Sequence, residues 1–262
     1  MIRNIFIKIL KKIIKLIEPK QKKISDNGPG YSVLFGKKFY YQYKPAFDIT
    51  FHEIFEKGIY TFIPKNLNPT IIDCGANMGL SLLFFSMSYP TAKIYAFEPD
   101  HSVLEVLKKN LQTYKMKNVE LYEKAVWSKN EILNFYTDGG MGGRLENIYN
   151  NQVPIQVETI RLKDFIGDKH IDLLKMDIEG AEFEVISDCE SKLSQIDNIF
   201  IEYHSMENET QKLDDLLFIL KNNGFRYHLS QSFSRNKPFV EKTLVCEKID
   251  LAINIFGYRI IV

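Results

Sequence analysis

Cysteine is scarce in this chain of 262 residues. Cys74, Cys189 and Cys246 are odd in number, far apart and in no metal-ligand spacing. That pattern excludes a disulfide framework and reads as reduced packing residues in a cytosolic chain. No apolar run approaches the roughly 18 residues that a transmembrane helix needs, and no internal repeat is present. Neither sign of charge dominates. The formal net charge is +1 and the hydrophobic content 45%, which fits a soluble globular enzyme and argues against a general nucleic-acid binder. The length suits one large domain, or one and a half.

The small net charge hides an uneven distribution. Residues 1–23 hold Arg3, Lys8, Lys11, Lys12, Lys15, Lys20, Lys22 and Lys23 against Glu18 alone. Ile2, Ile5, Phe6, Ile9 and Ile13 recur at helical spacing. The lysines break any signal-peptide core, so a cytoplasmic location is expected. Such a basic amphipathic helix can lie on the anionic inner face of a membrane. It equally suits packing on its own domain or on a partner subunit. Residues 24–66 form an aromatic-rich lead-in. A hairpin is expected over 31–35 and 38–43 around Gly36-Lys37, then a short helix over 48–56. The aromatics Tyr31, Phe35, Phe39, Tyr40, Tyr41, Tyr43, Phe47, Phe51 and Phe55 suit a packed cap, or stacking on a sugar ring.

From Thr70 strands and helices alternate, which predicts a mostly parallel sheet with helices on both faces, over a domain spanning 67–262. The organising stretch is Thr70-Ile71-Ile72-Asp73-Cys74-Gly75-Ala76-Asn77-Met78-Gly79. Its β-branched start reads as a buried strand. The two glycines let a ligand approach the backbone, and the helix expected over 80–89 points its N-terminus at that ligand. A second strand over 93–97 ends in Glu98, about 20 residues past the glycines, the usual distance for a carboxylate that grips a ribose diol.

Further along, a helix is expected over 102–114 and a third strand over 119–126. A strand pair follows over 131–137 and 154–160, joined by a glycine-rich loop at 138–143 that suits a lid or a plain flexible connection. The strand ending in Lys175-Met176-Asp177 and the one ending in Glu202-Tyr203-His204 carry the chemistry. Alternation along a strand puts Lys175 with Asp177, and Glu202 with His204. If the two strands are parallel neighbours, these groups converge at the sheet's carboxyl edge. An ion-pair network around Lys175 is the alternative. A helix over 209–223, strands over 225–229 and 243–247, and an apolar tail that is a further strand or an oligomer contact complete the chain.

The set Ile72-Asp73-Cys74-Gly75-Ala76-Asn77-Met78-Gly79, Phe97-Glu98-Pro99, Lys124-Ala125-Val126 and Leu174-Lys175-Met176-Asp177-Ile178-Glu179-Gly180-Ala181-Glu182 resembles the FkbM family of S-adenosylmethionine-dependent methyltransferases, over roughly residues 67–230. The resemblance implies an α/β, Rossmann-like, seven-stranded class I methyltransferase sheet with strand order 3-2-1-4-5-7-6, the seventh antiparallel. It implies O-methylation, often of sugars or natural products, so the expected partner is a small-molecule or glycan acceptor. The cofactor set is then Asp73, Gly75, Asn77, Gly79, Ser81, Glu98, Pro99, Ala125 and Val126, the last two ending the third strand beside the adenine. The catalytic set is His204, Asp177, Glu202, Lys175 and Glu179, with His204 the base by its intrinsic pKa. Asp177, Glu202 and His204 would also suit Mg²⁺ or Mn²⁺. Two other classes stay open: a nicotinamide-dependent oxidoreductase on a Rossmann fold, which Asp73 near a pyrophosphate disfavours, and a non-catalytic scaffold of a glycan assembly.

Overall fold

The computed structural model describes residues 27–137, 143–145, 154–207, 209–233, 235, 237–241 and 249–259. The basic segment 1–23, the loop at 138–142, Cys246 and the strand expected over 243–247 lie outside them. Among the described residues no helix is long and apolar enough to cross a membrane. The chain divides into two compact units, one running to Glu123 and the other taking up the chain at Lys124.

The first unit opens with the hairpin β1 (Gly30–Leu34) and β2 (Lys37–Tyr41). Leu34 pairs with Lys37, so the turn is Phe35-Gly36 and not Gly36-Lys37. Both turn residues are left-handed, at φ 50° and 78°, the geometry that suits the twist of a two-residue hairpin. Helix α1 (Lys44–Phe51) starts earlier than expected, because Pro45 sits in its first turn, where a missing N–H costs nothing. It continues as a wider π-type turn over His52–Glu56. The aromatics pack on one another. Rings at Tyr41, Phe47, Phe51, Phe55 and Phe84 follow each other at centroid spacings of 5.0, 5.8, 5.1 and 5.6 Å. Core packing therefore accounts for most of the aromatic density.

Strand β3 (Thr70–Cys74), helix α2 (Leu80–Ser88), strand β4 (Lys93–Phe97), helix α3 (His101–Tyr114) and strand β5 (Val119–Tyr122) follow. The strands run parallel, with β4 between β3 and β5. Ile71, Ile72 and Cys74 are fully buried, as a parallel strand covered on both faces requires. Asp100 caps α3 by accepting the Ser102 N–H at 2.8 Å, which fixes where the helix starts. Asn110, fully buried on α3, exchanges two hydrogen bonds with the backbone of Tyr40 and donates a third to the Met78 carbonyl.

In the second unit the expected third strand proves to be two. β5 ends at Tyr122, and Ala125 and Val126 belong to a separate strand β6 (Ala125–Trp127). The Glu123-Lys124 step breaks the run, and β6 pairs in parallel with β9 (Ile155–Arg161). β9 also pairs antiparallel with β7 (Ile132–Thr137), the expected strand pair, and β7 with β8 (Gly143–Leu145). A short helix α4 (Leu162–Ile166) leads to β10 (Ile171–Met176), buried throughout. Helix α5 (Glu182–Asp188), strand β11 (Ile196–Met206), helix α6 (Leu213–Asn222), strand β12 (Arg226–Gln231) and strand β13 (Ile249–Tyr258) complete the unit. Helix α6 begins at Leu213, four residues later than the expected start at 209 and at the first residue of its apolar stripe. Residues 253–258 of the apolar tail lie in β13, which runs antiparallel between β11 and β12, while β10 and β11 are parallel.

All seven strands of the expected α/β sheet are thus present, as a 3-2-1 run in the first unit and a 4-5-7-6 run in the second. Gly257 shows how tightly β13 sits. A Cβ there would stand 2.4 Å from Cγ2 of Ile199, which is 1% exposed, and 3.4 Å from Phe225. Gly257→Ala is expected to destabilise the fold by about 1–3 kcal/mol through overpacking. A urea midpoint equal to that of the parent would refute this packing argument.

Candidate functional site

In the first unit the sequence builds a left-handed turn. Gly75, Asn77 and Gly79 have φ of 85°, 46° and 89°. Two of these positions are glycine because only glycine adopts such φ without strain. At Gly79 a Cβ would also lie 2.6 Å from a Leu107 methyl. The turn is pinned to β4, since the Gly75 and Ala76 N–H groups both donate to the Phe97 carbonyl at 3.0 Å. Asp73 is fully buried and accepts a hydrogen bond from Ser81 Oγ at 2.5 Å, which joins the end of β3 to the first turn of α2.

Glu98 is 6% exposed. Its Oε2 accepts the Asn77 N–H at 2.8 Å and its Oε1 the Asp100 N–H at 3.0 Å. The carboxylate therefore shapes the glycine turn from one side. The structure brings Asp73, Gly75, Asn77, Gly79, Ser81, Glu98 and Pro99 together in one unit. Ala125 and Val126 are buried on β6 in the other unit, so they do not end the third strand as the sequence suggested.

The second unit holds the charged cluster. Lys175 is 2% exposed on β10, and its Nζ lies 3.6 Å from Asp177 Oδ2 just past the strand. His204 is 6% exposed, on β11, two residues before that strand ends at Met206. Its Nδ1 meets Glu182 Oε1 at 3.0 Å, while Nε2 faces Glu179 and Glu202, each at 3.8 Å. Asp177, Glu179 and His204 have donor atoms within 4.8 Å of one another. Cross-strand register sets Glu202 opposite Asn254 and Asn254 opposite Ser230, and Ser232 Oγ donates to Glu202 Oε1.

Crowding of carboxyls around one imidazole sets the protonation states. Burial alone would lower the His204 pKa, but Glu179, Glu182 and Glu202 together outweigh it and hold the value well above the usual 6.5. Glu202 moves the other way from an ordinary carboxylate. Burial, then the negative charge of Asp177, push it up to about 7, against the pull of His204 and Ser232. Desolvation and like charge both favour the neutral acid.

Sequence reasoning gathered the cluster but missed Glu182 as a member. An acid at the first position of a helix ordinarily points to water; here the side chain is fully buried and folds back on the turn before it. The only signal was its place at the end of the acid–glycine–alanine–acid run. Ser232 carried no signal, because it becomes a partner of Glu202 only through the pairing of β12 and β13 with β11.

Three comparisons bear on this geometry. The family model described as "Methyltransferase FkbM domain" matches residues 73–227. The chain is 32% identical to Methyltransferase sdnD of Sordaria araneosa, over 52% of this chain and 66% of that protein. It is 28% identical to 2-O-methyltransferase NoeI of Sinorhizobium fredii (strain NBRC 101917 / NGR234), over 53% of this chain and 65% of that protein. It thus spans just under two thirds of the length of each. Among solved structures, an S-adenosylmethionine-dependent methyltransferase from Agrobacterium tumefaciens superposes with a TM-score of 0.50 at 9% identity, over 92% of this chain and 72% of that one. That last likeness is one of fold.

Proposed function

The chain belongs to the FkbM methyltransferase family, and on that premise we propose that it is an S-adenosylmethionine-dependent O-methyltransferase acting on a hydroxyl of a saccharide or glycan precursor. The observation that carries the reading is the pairing of a carboxyl poised near neutrality, Glu202, with a buried imidazole, His204. O-methyl transfer needs a base for the acceptor hydroxyl, and a base works best when its pKa lies near the operating pH.

S-adenosylmethionine, when bound, supplies an electrophilic methyl group on a sulfonium. The first unit fits such a group. Asp73 carries the negative charge that suits a cationic amino-acid moiety, the turn at Gly75–Gly79 offers close approach to the backbone, and Glu98 has oxygens for two hydroxyls of a ribose. Much of the rate in a displacement of this kind comes from positioning.

By intrinsic pKa His204 is the obvious base, but its surroundings favour Glu202 for that role. A ring held as imidazolium by three carboxylates has no lone pair to accept a proton, whereas Glu202 gives up its own proton near neutral pH. In this reading Glu202 takes the acceptor's proton, His204 supplies the counter-charge that steadies the new anion, and Lys175 holds Asp177. The same imidazolium balances the carboxylates that a divalent ion would otherwise balance, so activity is expected to survive dialysis against a chelator. Asn254 opposite Glu202 and Ser232, which donates to it, are amide and hydroxyl groups, neighbours suited to a polyhydroxylated acceptor. The name of NoeI, a 2-O-methyltransferase, supports transfer to oxygen. Family membership leaves the nicotinamide-dependent alternative without support.

The test is an acceptor screen with a labelled methyl donor against sugar nucleotides, lipid-linked glycans and small phenols, with calorimetry using S-adenosylmethionine and NAD⁺. Label should appear on a saccharide hydroxyl, and only S-adenosylmethionine should bind. Transfer to phenols alone would sink the saccharide reading; binding of NAD⁺ instead would sink the whole of it.

A further inference from the structure

We infer that Glu182 is a positioning residue, one carboxylate that sets both the orientation of the His204 ring and the conformation of the turn that carries Glu179. A carboxylate without solvent exposure is costly unless its oxygens are satisfied. At Glu182 they are satisfied by its own turn and by the ring. Oε1 accepts the Gly180 N–H at 3.0 Å and the Ile178 N–H at 3.3 Å, Oε2 accepts Gly180 at 3.1 Å, and His204 Nδ1 stands 3.0 Å from Oε1.

Two consequences follow. The first concerns the ring. An oxygen already accepting backbone N–H groups acts as an acceptor, so Nδ1 must carry a proton, since the bond made by one ring nitrogen decides the state of the other. A flipped ring would put a carbon against Glu182 and leave the buried acceptor underused. Nε2 is therefore the nitrogen that faces Glu179 and Glu202. The second concerns the turn. Glu179 has φ of 58° and Gly180 φ of 110°, and a non-glycine residue in the left-handed region persists only where its surroundings hold it. Glu182 binds the N–H groups on both sides of Glu179. The same side chain thus fixes where Glu179 presents its charge to His204.

The effect on turnover rests on the function proposed above; the ring state does not. The experiment uses the full chain, with nitrogen-15 spectra of the His204 ring and turnover of wild type, Glu182→Gln and Glu182→Ala. Wild type should show a protonated Nδ1. Glu182→Gln keeps an oxygen acceptor at the Oε1 position, and should keep that signature and at least a third of the turnover. Glu182→Ala should mix ring states and lose turnover about tenfold, with S-adenosylmethionine affinity within twofold. An unprotonated Nδ1 in wild type overturns the inference without any variant. So does folded Glu182→Ala with turnover within threefold of wild type, or Glu182→Gln no better than Glu182→Ala. If wild type methylates no hydroxyl at all, the proposed function fails, and the ring spectrum still decides this inference.

Discussion

Glu202→Gln is expected to cut turnover by roughly 10²–10⁴, the usual contribution of a general base, while cofactor affinity changes by less than about 1 kcal/mol. Gln keeps the shape and can still accept from Ser232, but cannot take a proton. The parent should show turnover rising about tenfold per pH unit below its midpoint and levelling off above about 7, because only the ionised carboxylate acts. Stability should run the opposite way. The folded pKa of Glu202 is raised, so the folded chain holds that proton more tightly than the unfolded chain. The associated stability is fully present below the ordinary carboxylate value of 4.5 and is lost as pH rises through about 7. The variant should lose both the activity midpoint and this slope in stability. A variant with parental turnover, or with the same midpoint at low turnover, would assign the base to another group.

Glu98→Ala should weaken S-adenosylmethionine binding by about 1.5–3 kcal/mol, the range for hydrogen bonds to a charged group. The larger figure is expected, because Glu98 also holds the Asn77 and Asp100 N–H groups. On the proposed reading, truncation removes the acceptor for the ribose hydroxyls and unpins the turn together. Glu98→Gln retains one acceptor oxygen and should fall between wild type and Glu98→Ala. Calorimetry giving the same dissociation constant for all three, within a factor of two, would take Glu98 out of the cofactor site.

The parts of the chain legible from sequence were those whose signals are local. β3 and β4 fall where β-branched and aromatic residues run into Gly75 and Glu98, so a few consecutive residues carry the whole message. Strand alternation grouped Lys175 with Asp177 and Glu202 with His204, but gave no sign of Glu182 or Ser232. What the sequence hid depended on partners distant along the chain. Residues 119–126 read as one strand because apolar residues stand on both sides of Glu123-Lys124. Only the pairing of Ala125 with Thr159, against that of Phe97 with Tyr122, separates the two halves. The upward shifts of Glu202 and His204 were hidden for the same reason. The ordinary proton affinities of the two side chains are those of solvated groups, and here Asp177, Glu179 and Glu182 arrive from a different segment.

Asn110 has a consequence for how this protein can be cut and recombined. The match to the family begins at Asp73, and a gene-level dissection would take that as the start of a transplantable module. The Asn110 amide, however, is shared between the backbone of Tyr40 in the hairpin and the carbonyl of Met78 in the glycine turn. A chimaera that exchanged residues before 67 with those of a relative would leave a fully buried amide facing a foreign β2, beside the glycine turn. The heritable unit in this half of the chain is therefore the hairpin together with α3, and a productive crossover point lies after Tyr114, not before Asp73.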